Sequence, residues 1–141
     1  MHKIGQRSSN HCPEGRLPAE GEDVTIPSGW NMTMDLAETP IYRLVRVNGI
    51  VNFKTDIDIH FKAKHIFIRA GELNIGTEEH PYEKKCTIEL FGEKDSKAIV
   101  YDNAIEAGNK LIANINKLRM FGKKRTKNFT RLLAPAERGA T

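Results

Sequence analysis

Apolar and polar residues alternate in short runs along the middle of the chain, and glycines interrupt the runs. Val45, Val47, Val51 and Phe53 occupy alternate positions on either side of Gly49. A period of two is typical of β-strands with one buried face, so the pattern predicts two short strands that meet at the glycine. Similar runs flank three other glycines, which are Gly29, Gly71 and Gly92.

These four glycines are almost evenly spaced, at intervals of 20, 22 and 21 residues (49 − 29, 71 − 49 and 92 − 71). A strand–turn–strand unit that recurs at such a period is typical of repeat proteins, and one coil of a parallel β-helix needs about 21 residues. We therefore predict an all-β, right-handed parallel β-helix with glycines at its corners and at most one short helix. A β-sandwich is the alternative fold, since its strands also recur every ~8–12 residues.

The alternation weakens after Gly92. Ser96–Ala107 is expected to form a short helix or a loop, and a further strand pair is expected between Leu111 and Met120. Gly122 would then begin the next turn. The first 16 residues are polar and contain no such pattern, so we interpret them as a lead-in or an end cap.

Composition limits the class of protein. The chain has 141 residues, enough for one domain with a real core, and its formal net charge is +4. It contains no apolar run of the roughly 20 residues that cross a bilayer, so we expect no membrane insertion by this segment. Seven bases and no acid fall between Lys117 and Arg131. Such a block can attract polyanions, but we interpret it as a solvated face or a flexible end, and we expect no nucleic-acid partner.

The candidate modification and metal sites are few. Cys12 and Cys86 form either one disulfide or two free thiols. Asn31 and Asn128 each begin an N-x-S/T tripeptide and are candidate glycosylation sites. The five histidines lack metal-ligand spacing, and no phosphate-cradling or nucleophile motif is present, so we predict no metal site and no cofactor.

Several segments resemble a known family. Asp23–Gly29 is similar to the "D-V-x-I-P-x-G" opening of an extracellular domain named for eight glycines, the G-eight domain. Val47–Phe53 resembles its "I-x-G-x-L-x-F" strand pair, and Ala63–Gly92 resembles its most distinctive stretch. The tail, Phe121–Thr141, resembles the segment that follows this domain, although Phe121 and Phe129 replace a histidine and a tryptophan of that pattern.

The resemblance implies a family that includes fibrocystin, fibrocystin-L and the cell-migration-inducing hyaluronan-binding protein. It implies a module of an extracellular or cell-surface protein, whose partners are a glycan or protein ligand and a flanking β-helix of a longer parent chain. The expected domain is residues 17–122, and residues 123–141 are expected to begin the next segment. The function expected is structural or ligand-binding, without catalysis. The alternative is part of a hyaluronan-binding or hyaluronan-depolymerising enzyme.

Two sets of residues are candidates for these activities. Sugar-binding surfaces combine aromatic platforms with polar or charged neighbours, and the candidates for ligand binding are Trp30, Tyr42, Lys62, Lys64 and Tyr82. Glycoside hydrolysis needs two carboxylates about 5–10 Å apart. The weak candidates for catalysis are Asp56, Asp58 and Glu72.

Overall fold

The computed structural model describes residues 2–4, 17–126, 129, 131 and 133–134. Every regular element in this part of the chain is a β-strand, which confirms the all-β prediction. The strands are β1 (His2–Ile4), β2 (Asp23–Ile26), β3 (Asn31–Met34), β4 (Tyr42–Val47), β5 (Ile50–Phe53), β6 (Ile59–Ile68), β7 (Glu72–Ile75), β8 (Cys86–Leu90), β9 (Ile99–Tyr101), β10 (Ile105–Ala107), β11 (Leu111–Asn114) and β12 (Lys117–Met120).

The strands form two parallel sheets, and from β2 to β8 the chain alternates between them. The first sheet has the order β1-β3-β5-β7-β12, and the second has the order β11-β6-β4-β2, with β8 also paired to β6. Among the described strands, only β9 and β10 pair in antiparallel fashion. Because the sheets of immunoglobulin-type sandwiches are antiparallel, the pairing observed here argues against the sandwich alternative.

The register confirms a repeat of about the predicted length. Asp23 pairs with Leu44 and Leu44 pairs with His65, so each step is 21 residues (44 − 23 and 65 − 44). We define repeat 1 as β2 and β3, repeat 2 as β4 and β5, repeat 3 as β6 and β7, and repeat 4 as β8, β11 and β12.

Stacking of these repeats builds the core. Met32, Val51 and Leu73 occupy one register position in repeats 1 to 3, and at most 3% of each is exposed. Burying such a side chain contributes about 1.5–3 kcal/mol. The apolar residues of the alternating pattern are therefore the side chains that face inward and stack on one another in this core.

In the second sheet, the alternation of core-facing side chains shifts by one residue partway along the strand, as β6 shows. In β6, Ala63 and Ile66 both lie in the core, whereas His65 and Phe67 do not join that core cluster. At the same place in repeat 4 the chain leaves the stack after β8 and returns at β11. Residues 92–110 are therefore an insertion at the bend of the strands.

The insertion contains a hairpin, not the helix that we considered for Ser96–Ala107. Asp102 and Asn103 adopt left-handed backbone conformations, with φ of 51° and 56°, and connect β9 to β10. The Tyr101 ring stacks on Phe67 of β6 with ring centroids 4.2 Å apart. A helical pattern was a poor guide here because this packing on the outer face of the sheet decides the conformation.

The predicted corner glycines occupy different positions in the structure. Gly49 and Gly71 directly precede β5 and β7, and Gly29 lies one residue further from its strand, with φ of 81°. Gly92 is not at this corner, because it opens the insertion. In repeat 4, Asn116 directly precedes β12 and takes the corner position.

Candidate functional site

Repeat 4 exposes side chains that face the core in the preceding repeat. Cys86, Ile88 and Leu90 pair with Ile59, Phe61 and Ala63 of β6. At most 4% of each of these three β6 residues is exposed, whereas their partners in β8 are only partly buried. Ile112 and Leu118 are partly buried in the same way. The inward face of repeat 4 therefore lacks the cover that every earlier repeat has.

Cys86, Ile88, Leu90 and Ile112 line a cavity of about 520 Å³. We call it the open end. Its lining residues are mainly apolar, and the charged ones are Glu83, Lys84, Lys123 and Arg125. Met120 also lines it and is 51% exposed. Burial raises the pKa of the Cys86 thiol, so this thiol stays protonated at neutral pH.

Two hydrogen bonds of Tyr82 hold the floor of the open end. The Tyr82 hydroxyl donates a hydrogen bond of 2.6 Å to the Ile57 carbonyl. The Tyr82 amide donates to the Phe121 carbonyl at 2.7 Å, which ties the segment between β7 and β8 to the end of β12. An uncovered apolar surface of this kind is typical of an interaction site.

A second cavity, of about 530 Å³, lies at the bend, between the outer face of the second sheet and the insertion. We call it the cationic cleft. Four bases line it, and no Asp or Glu is among its lining residues; the bases are Arg43, Lys64, Lys97 and Lys110. His65 lines it too, and only 7% of this residue is exposed. Burial, together with the charges of Arg43 and Lys64, lowers the pKa of His65.

The structure does not bring the predicted ligand-binding residues together. Tyr42 and Tyr82 are core residues, with 1% and 4% exposed, and Trp30 packs partly against the same core. The Lys62 ammonium forms an ion pair with Glu38 at 2.7 Å. Only Lys64 is exposed, in the cationic cleft.

The predicted catalytic carboxylates all have structural partners. Asp58 accepts a hydrogen bond from the Lys85 amide at 3.0 Å, and Asp56 forms an ion pair with Lys54 at 3.5 Å. Glu72 forms an ion pair with Lys117 of the neighbouring strand at 2.8 Å, and this hydrogen bond lowers the pKa of Glu72.

The remaining predicted sites are only partly within the described residues. Cys12 and Asn128 lie outside them, and Cys86 is a free thiol. Asn31 is exposed at the start of β3, and its side-chain oxygen accepts a hydrogen bond from Asn52. The described residues contain no group of three or more His, Cys, Asp or Glu side chains that would hold a metal ion. No helix in this part of the chain is long and apolar enough to cross a membrane.

Sequence reasoning missed most of the cationic cleft. Arg43 and Lys64 are separated by one repeat, and a period of 21 residues alone would have placed them side by side. Lys97 and Lys110 come from the insertion, whose path the repeat does not predict.

Comparison with known proteins identifies relatives of the chain. Residues 10–133 match the model of the G8 domain, the eight-glycine domain named above. Dog fibrocystin is 34% identical over 92 residues, which are 64% of this chain. Human fibrocystin-L is 36% identical over 87 residues, or 60% of the chain, and mouse fibrocystin-L is 25% identical over 134 residues, or 88%. The matches cover only 2–3% of those relatives' lengths. No solved structure matches the chain.

Proposed function

Since this chain belongs to the G8 domain family, we propose that it is a structural module of a larger fibrocystin-like protein. In this proposal the repeats wind as a right-handed parallel β-helix, and the open end receives a further repeat of the same polypeptide, beginning with residues 123–141. The observation that carries the proposal is the partial exposure of inward-facing residues in repeat 4 at positions that are buried in repeat 3.

Two features favour a further repeat over an unrelated partner. The open end continues the stack in register, so that a parallel strand beside β12 would meet the same alternating side chains that β7 offers to β12. The cavity also lies directly above the core instead of on an outer face of a sheet, because Ile75, Ile88 and Ile112 line it. A repeat stack leaves such a face only where it awaits its neighbour or a cap.

The proposal is tested by labelling Cys86 with a maleimide in a Cys12→Ser background. Because Cys86 is partly buried and its pKa is raised, we expect slow but measurable labelling in the present chain. Labelling should be slower by about a further tenfold or more in a longer polypeptide in which native sequence follows Thr141. A cysteine introduced by Val100→Cys, on the insertion, is the control, because Val100 is 53% exposed and lies away from the open end. Equal Cys86 labelling in the two proteins, with the control unchanged, would overturn the proposal.

A second copy of the chain is the competing occupant. Sedimentation of the present chain at increasing concentration tests it, with Cys86 labelling measured at each concentration. We expect a monomer whose Cys86 remains reactive. A dimer that protects Cys86 would assign the open end to self-association.

We place the module outside the cell, at the cell surface or in a secreted protein, because the family likeness implies it. The test is protease or antibody access to the protein on intact cells. Access only after permeabilisation would contradict this placement.

We further propose that the module has no catalysis of its own. The support is that the three candidate carboxylates serve as partners for Lys54, Lys85 and Lys117. Incubation with hyaluronan should leave the polymer length unchanged, and any enzyme-dependent shortening would restore the hydrolase alternative.

A further inference from the structure

We propose that the cationic cleft is a binding site for a doubly charged oxyanion, the sulfate or phosphate group of a small ligand. This inference concerns a different face of the molecule from the open end and stands independently of the stacking proposal.

The first argument is charge. Arg43 and Lys64 lie side by side on adjacent parallel strands, because their neighbours Leu44 and His65 pair in register. Like charges in such positions repel each other across about 5 Å. Arg43 has an ion pair with Asp23. Lys64 has no acidic partner among the described residues, so its charge is available to an anion.

The insertion adds two further cations on the opposite wall. Lys97 and Lys110 both line the cleft, and neither has an acidic partner within the described part of the chain. Three uncompensated ammonium groups exceed the single charge of a carboxylate and suit a divalent oxyanion. Lys64 lies on β6, and Lys97 and Lys110 lie near opposite ends of the insertion. An anion between them would therefore neutralise charges from three separate segments of the chain.

The backbone at Lys110 provides an independent observation. Lys110 has a φ of 61°, a left-handed conformation that is unfavourable for a residue with a side chain. It lies close to Gly92, where an added Cβ would be 3.1 Å from the Lys110 Cβ. The two ends of the insertion therefore meet tightly and hold a lysine, not a glycine, in a strained position at the cleft.

His65 lies in the wall of the cleft and serves as a reporter for it. Its Nδ1 atom is buried and has no hydrogen-bond partner in the structure, so the ring is sensitive to a change in the cleft beside it. Phe91 lines the same cleft and is half-buried. The volume of about 530 Å³ lies in the range of small-ligand pockets, so there is room for an organic group beside the oxyanion.

The test is titration of the chain with inorganic sulfate and inorganic phosphate at constant ionic strength set with chloride, followed by NMR. We expect the His65 ring signals to shift saturably, while those of His60 and His80, which do not line the cleft, stay in place. The absence of saturable His65 shifts in this titration, when the same anions shift the signals only if the ionic strength is allowed to rise, would overturn the proposal, because such shifts report only screening.

Matched charge variants separate the cleft from general surface charge. Lys97→Gln and Lys64→Gln should each weaken sulfate binding about fivefold or more, the loss of roughly one charge-assisted contact. Lys94→Gln removes the same charge from the same insertion but away from the cleft, and should change binding less than about twofold. Equal weakening by all three variants would contradict a shaped site.

The source of the oxyanion is distinguished by three probes: inorganic sulfate, glucose 6-sulfate and glucose 6-phosphate, with glucose as the uncharged control. Tighter binding of a sugar ester than of the free anion supports an organic ligand, and equal binding supports the free anion. Binding of glucose alone, or no binding of any charged probe, would overturn the proposal.

Discussion

A Cβ atom placed on Gly71 would lie 1.9 Å from the carbonyl oxygen of Gly49, the glycine at the same corner one repeat earlier. Gly49 is restricted in turn, because its own Cβ would lie 2.4 Å from the Pro27 carbonyl oxygen. Neither glycine has a positive φ. Glycine is therefore required here for the close approach of stacked backbones and not for a special turn conformation.

Gly71→Ala should consequently destabilise the fold by about 2 kcal/mol or more, since backbone atoms cannot move aside as a flexible side chain can. Urea unfolding measures the change. Gly108→Ala is the control, because its Cβ would meet only the Leu111 side chain at 3.9 Å, an ordinary contact. A Gly71→Ala protein as stable as the Gly108→Ala protein would show that the corners do not stack as described.

Asparagine side chains connect successive repeats along the first sheet. Asn52 donates to Asn31 at 2.8 Å and accepts from Asn74 at 3.1 Å. Asn52→Ala removes both bonds and should lower the free energy of unfolding by about 1–3 kcal/mol. Asn116→Ala, at an exposed corner, should cost much less. If Asn52→Ala and Asn116→Ala lower the stability by similar amounts in thermal and urea unfolding, the asparagine side chains do not stabilise the stack of repeats.

The aromatic ring of Tyr101 anchors the insertion to the sheet, whereas its hydroxyl group makes no hydrogen bond. Tyr101 stacks on Phe67, yet its hydroxyl oxygen is buried without a hydrogen-bond partner. Tyr101→Ala should destabilise the protein by about 3 kcal/mol and increase hydrogen exchange in β9 and β10. Tyr101→Phe keeps the ring and removes the unpaired group, so it should be neutral or stabilising. Destabilisation by Tyr101→Phe would reveal a partner for the hydroxyl.

Stability should fall at alkaline pH through Tyr82. Burial raises the pKa of Tyr82 to about 12, with smaller contributions from the charges of Cys86, Asp58 and Asp56. The unfolded phenol has a pKa of about 10, so the folded state retains its proton over a range where the unfolded state loses it. The contribution is complete below pH 10 and is lost between pH 10 and 12.

Tyr82→Phe supplies the comparison for this pH dependence. The wild-type chain should lose up to about 2–3 kcal/mol more than the variant between pH 10 and 12, as urea unfolding at fixed pH measures. Parallel pH profiles for the two proteins would mean that the Tyr82 pKa is not raised in the folded state.

The repeat was predictable from the sequence because it depends on local alternation. Val45, Val47, Val51 and Phe53 face the core as expected, since period two determines which side chains face inward. The strand pair expected between Leu111 and Met120 is confirmed as β11 and β12, but the corner assigned to Gly92 was wrong. Gly92 has the correct spacing by coincidence, while the insertion moves the true corner to Asn116.

The exposure of the aromatic candidates for ligand binding was harder to predict, because an alternating pattern does not indicate where a strand bends. Tyr42 precedes the bend of β4 and faces inward, with its ring 6.1 Å from that of Phe61. The cationic cleft has the same origin. Lys64 and Lys97 line one cavity only because the insertion folds back over the sheet, and no local pattern encodes that tertiary arrangement.

A crystal structure of a longer polypeptide that continues beyond Thr141 tests the stacking proposal most directly. We predict a parallel strand hydrogen-bonded beside Lys117–Met120, with Ile88, Leu90 and Ile112 less than a tenth exposed, as Phe61, Ala63 and Ile66 are in the preceding repeat. An open end still exposed to solvent, or covered by a segment that does not continue the two sheets, would contradict it.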